Sequence, residues 1–142
     1  MLALDLVPCL DNHLVRELLE PSIGFPTPEK LDTVASWYVT NASLRLVGFQ
    51  VDDILCGCIG FEVVNARQAV IHHIAVDPSV RRQGIGRHMV LWLLRVRQFS
   101  HLLAETGREA VGFYERCGFR VTSLGEVYPG TERFVCELGD QD

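Results

Sequence analysis

Residues 73–90 read HIAVDPSVRRQGIGRHMV, and this stretch decides how the rest of the chain is arranged. Its opening residues close an apolar, β-rich run, Asp77-Pro78-Ser79 punctuate it, and from Gln83 onward apolar residues return at helical spacing. Between the strand and the helix stand Arg81, Gly84 and Gly86. Glycines let a backbone turn closely, and the first N–H groups of a helix have no partner inside it. Such free N–H groups hold phosphates. Over residues 77–97 five arginines (81, 82, 87, 95 and 97) face one acid, Asp77, a local charge of +4 in a chain whose formal charge is -5. The remaining residues therefore sum to -9, the pattern of a chain that repels anions generally and gathers positive charge where one is wanted. A general nucleic-acid coat is excluded on the same ground. There is no GxGxxG followed by an acidic residue after a second strand, and no GxxxxGK with Ser or Thr, so neither a dinucleotide fold nor a P-loop fits.

Upstream of this stretch, LRLVGFQV (44–51), ILCGCIGFEV (54–63) and AVIHHIAV (69–76) are three β-rich runs parted by Asp52-Asp53 and Asn65-Ala66-Arg67, the pattern of an antiparallel meander. Gly57 and Gly60 are costly inside a strand and imply a bulge or the close packing of another group. Further upstream, residues 2–8 suit a short first strand. A helix follows, with Leu14, Leu18 and Leu19 on one face and Asp11 or Asn12 as its cap, and Pro21 stops it. Gly24, Pro26 and Pro28 then mark a rim before a second helix carrying Leu31, Val34, Ala35 and Tyr38 on one side. Downstream, residues 83–99 read as a helix with Ile85, Met89, Trp92 and Val96 on one face, HLLAE as a strand, and 108–118 as a helix with Ala110, Phe113, Tyr114 and Cys117 in a stripe. A strand pair around Tyr128-Pro129-Gly130 closes the chain. The order β-α-α-β-β-β-α-β-α-β-β, with no repeat and no linker, predicts one α/β domain over residues 1–142: a mixed, mostly antiparallel twisted sheet flanked by helices.

With 142 residues, 48% apolar and 22% charged, the chain has enough core material for a compact fold without disulfides. Its five cysteines (9, 56, 58, 117 and 136) form no CxxC and read as reduced thiols. The opening MLALDLVPCL lacks a basic leader, and no uncharged apolar run approaches the ~20 residues that cross a bilayer. The expectation is a cytoplasmic protein with no membrane and no nucleic-acid partner. His72, His73 and His88 make no spaced ligand set, so no metal is expected, and Cys117 on its apolar stripe reads as packing.

The segment Arg81-Arg82-Gln83-Gly84-Ile85-Gly86, preceded by Ile74-Ala75-Val76-Asp77-Pro78, resembles the signature of the GNAT superfamily of acyl-CoA-dependent N-acetyltransferases. About thirty residues on, Ala110-Val111-Gly112-Phe113-Tyr114-Glu115-Arg116-Cys117-Gly118-Phe119 resembles that family's Ala-x-x-Phe-Tyr-x-x-x-Gly-Phe helix. The resemblance implies a sheet that splays between its fourth and fifth strands to admit acetyl-CoA as acyl donor. It implies that Arg81, Arg82, Gln83, Gly84, Ile85, Gly86 and Arg87 hold the pyrophosphate, that the backbone of Ile74 and Val76 pairs with the pantetheine arm, that Phe113 adjoins the cofactor, and that Tyr114 protonates the departing thiolate. The acceptor would be a primary amine, of a small molecule or a peptide, attacking the thioester directly.

Aminolysis of a thioester needs a neutral amine, an N–H near the developing negative charge and a proton for the thiolate. The base is open between His73, Glu62 and Glu105, since the fourth run carries no carboxylate and His72 and His73 point to opposite faces under strict alternation. Trp37, Tyr38 and Phe25 are either core or acceptor wall. Tyr128, Glu132 and Arg133 lie in the terminal strand pair, for which the resemblance implies acceptor contacts or a homodimer. A module that binds CoA without turnover is the rival reading, as is a structural dimer whose glycine turn binds nothing. Tyr114 argues for catalysis, because a binding module has no need of a phenol beside the sulfur.

Overall fold

In a computed structural model, which describes residues 1–139, the strands are β1 (Leu2–Asp5), β2 (Leu44–Val51), β3 (Ile54–Asn65), β4 (Gln68–Val76), β5 (His101–Thr106), β6 (Arg120–Tyr128) and β7 (Thr131–Gly139). The helices are α1 (His13–Leu19), α2 (Pro28–Thr40), α3 (Ile85–Arg95) and α4 (Arg108–Arg116). The element order and the mixed, mostly antiparallel sheet are as the sequence predicts. The seven strands lie in the order β1-β2-β3-β4-β5-β7-β6, and β4 with β5 is the parallel pair. Parallel neighbours need a crossover, and α3 supplies it.

The sheet is covered on both faces. Leu6, Leu18, Leu19, Tyr38, Leu46 and Cys58 are buried on the α1 and α2 side. Phe49, Ile59, Phe61, Met89, Leu93 and Leu102 are buried on the α3 and α4 side. The Asn12 side chain caps α1, and the Thr27 side chain caps α2.

Several boundaries differ from the sequence reading. The first strand ends at Asp5, because Val7–Cys9 turn into a short 3-10 helix. In α1 the buried face is Val15, Leu18 and Leu19, while Leu14, beside the cap, is 57% exposed. α3 spans only Ile85–Arg95, and Val96, beyond its last turn, is exposed.

The period of β4 breaks once, and the site depends on it. Gly60 of β3 faces His73 and Phe61 faces Ile71, so His72 is an extra residue in β4. A bulge of this kind bends its strand and turns consecutive side chains to one side. Ala69 and Ile71 therefore lie on the α3 side, whereas His73 meets Tyr38 of α2 and His72 meets Trp37. This corrects the opposite-face expectation for the two histidines. The parallel ladder to β5 ends at the same place: it runs from Gln68 with His101 to Ile71 with Ala104 and no further.

Candidate functional site

Beyond the last rung of that ladder, β4 runs on to Val76 with β3 on one edge and a gap on the other. A cavity of about 570 Å3 opens there. His72, His73 and Ile74 of β4 form one wall; Glu105, Thr106 and Gly107 leave β5 along another; Tyr114 of α4 also lines it. The loop through Ile23, Gly24 and Phe25 and the β6–β7 hairpin at Gly130 to Arg133 complete the rim. Glu132 and Arg133 of the hairpin are residues the sequence reading put forward, whereas the Thr106–Gly107 segment carries no motif that would have found it.

At the far end of β4 the chain makes the turn that leads into α3. The Ser79 hydroxyl and N–H donate to the Asp77 carboxylate at 2.6 and 2.9 Å, which holds that carboxyl below its usual range. Arg81 Nε donates to the Val76 carbonyl at 3.3 Å. Arg82 has a φ of +68° and Gly84 one of +79°, so the turn enters α3 through the left-handed region. The first intrahelical bond runs from the His88 N–H to Gly84 O at 2.9 Å, and no side chain caps the N–H groups before it. Nothing lies within 4 Å of the point where a Cβ at Gly84 would stand. At Gly86 the situation is reversed, because a methyl group there would come within 2.7 Å of Phe113 Cε1. Gly84 thus leaves the uncapped turn open, and Gly86 lets α4 press against α3. An uncapped helix start, open in front and flanked by Arg81, Arg82 and Arg87, suits a pyrophosphate. The +4 segment is not one patch, however. Arg95 ends α3, about ten residues or ~15 Å from its start, and the Arg97 guanidinium lies over the rings of Phe61, Trp92 and Phe99.

Of the residues put forward for proton transfer, Tyr114, His73 and Glu105 line the cavity and Glu62 does not. Tyr114 is 4% exposed, its ring set edge-on against Phe113 and Phe119 with centroids 5.2 and 5.1 Å away. Burial raises its hydroxyl above the usual phenol value, so it remains protonated and able to donate. Glu105 is half-exposed and faces Arg133 Nε at 3.5 Å. Glu62 pairs with His72 Nε2 at 3.1 Å on the surface beside Trp37. His73 Nδ1 lies 2.6 Å from the Tyr38 hydroxyl, and burial, then the neighbouring His72, lowers its imidazole to about 4.

The aromatic candidates separate cleanly. Phe25 is 89% exposed on the rim, with the Lys30 ammonium 5.7 Å from its ring centroid, whereas Tyr38 is core at 2% exposure. Trp37 is half-buried, its ring 4.8 Å from that of His72. Glu132 and Arg133 reach the cavity rim, while Tyr128 lies exposed on the hairpin. Among the described residues no group of three or more His, Cys, Asp or Glu is gathered as a metal site, and no helix is long and apolar enough to cross a membrane.

Residues 42–121 match the acetyltransferase (GNAT) domain family. Over 89 residues the chain is 35% identical to an uncharacterized N-acetyltransferase from Bacillus methanolicus, a match that covers 63% of this chain and 72% of the other. It spans less than half the length of three further curated relatives. Its fold is similar to that of a GNAT-family acetyltransferase from Desulfovibrio desulfuricans, with a TM-score of 0.77, 24% identity and coverage of 97% and 98% of the two chains. A GNAT-family acetyltransferase from Elizabethkingia anophelis with acetyl-CoA bound is similar at a TM-score of 0.65 and 21% identity, over 87% of this chain and 89% of that one.

Proposed function

The chain belongs to the GNAT acetyltransferase family, and from that premise we propose that it transfers an acetyl group from acetyl-CoA to a primary amine. The observation that carries this reading is the early end of the β4–β5 ladder at Ile71 and Ala104, with a buried phenol on one side of the gap and an open, uncapped helix start at the end of β4. An extended thioester substrate needs those features in that order. Its pyrophosphate is held by the N–H groups of Ile85 to Arg87 together with Arg81 and Arg82, and its amide arm lies along the backbone of Ile74 and Val76. The donor supplies the activated acyl group; the chain supplies position and protons. Tyr114, kept protonated by burial, donates its proton to the departing sulfur. Glu105 lines the cavity at the end of β5 and can take the amine's proton directly or through water.

The acceptor enters from the Phe25 side, as an amine of a small molecule or of a peptide. A screen of amines with acetyl-CoA, read by release of free thiol, tests the reading. Thiol release that depends on one class of amine supports it, and no release above the rate of spontaneous hydrolysis with any amine would overturn it.

A further inference from the structure

Tyr38 and His73 form a polar pair in an otherwise apolar layer. Tyr38 rises from α2, its hydroxyl lying against Gly60 of β3, where any side chain would overlap it. The bulge at His72 turns His73 toward that hydroxyl. Beneath them Cys58 is fully buried, with its thiol pushed up to about 12, so the layer holds no charge. The other groups facing the ring are Trp37 of α2 and His72 of β4, with Glu62 of β3 behind His72. Tyr114 and Glu105 line the same cavity.

We infer that Tyr38 fixes His73 in the tautomer that carries its proton on Nε2, so that His73 meets a substrate in the cavity as a hydrogen-bond donor and does not take the amine's proton. Nδ1 of His73 is the hydrogen-bond partner of the Tyr38 hydroxyl. If that hydroxyl donates to Nδ1, both groups are satisfied and the ring proton sits on Nε2. If Nδ1–H donates instead, the phenolic hydrogen is left buried with no acceptor, a penalty that shifts the tautomer ratio by roughly 10- to 100-fold. Protonation of both nitrogens meets the same obstacle, and the low imidazole value of about 4 agrees.

Tyr38 claims Nδ1, so Nε2 is the nitrogen left for the cavity that His73 lines. A fixed N–H there suits an oxygen, whether of the thioester carbonyl or of the acceptor, and proton removal is left to Glu105 or to water. Tyr38 is thus a positioning residue acting through His73. The tautomer stands on the geometry, whereas its kinetic consequence rests on the acetyltransferase reading.

Long-range proton–nitrogen correlation spectra of nitrogen-15-labelled protein at neutral pH decide the tautomer, with His73 assigned by the signal missing in His73→Gln. The expected pattern is a bare Nδ1 and a protonated Nε2. A protonated Nδ1, alone or together with Nε2, would overturn the inference. In Tyr38→Phe the two tautomers should mix, and an unchanged pattern would remove Tyr38 from its role. Kinetics supply the second arm, comparing His73→Gln, whose amide N–H can stand near the place of Nε2–H, with His73→Leu. The glutamine variant should retain roughly tenfold more of kcat/KM than the leucine variant, with its pH profile unmoved. Equal losses, with the ascending acid-side limb of the profile abolished in both, would make His73 the base and overturn the proposal. If no amine is turned over by the wild-type protein, the acetyltransferase reading fails, and the spectra still decide the tautomer.

Discussion

His73 is held neutral at a cost that acid exposes. Its imidazole falls from an ordinary 6.5 to about 4 in the folded protein, so between those values the unfolded chain binds a proton that the native state refuses. Stability should therefore fall as pH drops from 6.5 toward 4, by ~3 kcal/mol in all, and level off below. Urea melts across that window should show the loss, and in His73→Gln the slope should be shallower. Tyr114 carries the second prediction at this scale. Tyr114→Phe should bind acetyl-CoA within a few-fold of wild type while turnover falls roughly 10- to 1,000-fold. Calorimetric titration beside steady-state rates checks it, and equal losses in both would mean that the hydroxyl only positions the donor. Tyr114 was legible in the sequence because a motif fixes its helix register. The partnership of Tyr38 with His73, 35 residues apart, was not, although Gly60 left a sign of it. A glycine in the middle of a buried strand implied that some group packs onto the backbone there, and that group is the Tyr38 hydroxyl.

Alternation and helical spacing were enough to place every strand and helix in order, because the helices bury one stripe and the central strands, covered on both faces, stand out as near-continuous apolar runs. What they could not record is an irregularity of one residue. The extra residue at His72 reverses the facing of everything after it in β4, and strict alternation run through that point puts the two histidines on opposite faces. That β4 and β5 adjoin came from the family resemblance alone, since their parallel pairing depends on where α3 returns the chain and not on the composition of either strand. At the turn into α3 the two glycines do different work, and substitutions should separate them. Gly84→Val places a β-branched side chain at a φ of +79°, in open space before the free N–H groups. It should cost about 1–2 kcal/mol in backbone strain and weaken acetyl-CoA binding more than Arg81→Lys, which keeps a charge there in poorer geometry. Gly86→Ala instead drives a methyl into the Phe113 ring. Its expected signature is a lower melting temperature, with Tyr114 displaced and turnover reduced. Calorimetric titration with acetyl-CoA and thermal melts on the three variants distinguish the two patterns.

The cavity belongs to no single element. It exists because a sheet that is hydrogen-bonded across seven strands opens at one end of one ladder, and because four segments, the loop at 21–25, the end of β4 at 71–74, the exit from β5 at 105–110 and the hairpin at 130–133, meet around that opening. The first of these is the one best placed to choose the acceptor. Thr27 caps α2, the Lys30 ammonium donates to the Gly24 carbonyl at 3.0 Å and lies over the Phe25 ring, and Phe25 itself is held outward at a φ of +50°. A braced, exposed aromatic ring on the rim contributes little to the core. Phe25→Ala should leave the melting temperature near that of wild type and leave acetyl-CoA binding intact, but raise the acceptor KM or change which amine is preferred. Tyr38, only thirteen residues on, is buried against Gly60, and Tyr38→Ala should cost about 3–5 kcal/mol of stability. Melts run beside two-substrate kinetics separate the wall from the core. An unaltered acceptor profile in Phe25→Ala would move amine selection away from this loop, to the β6–β7 hairpin, where Glu132 and Arg133 are the next side chains on the rim.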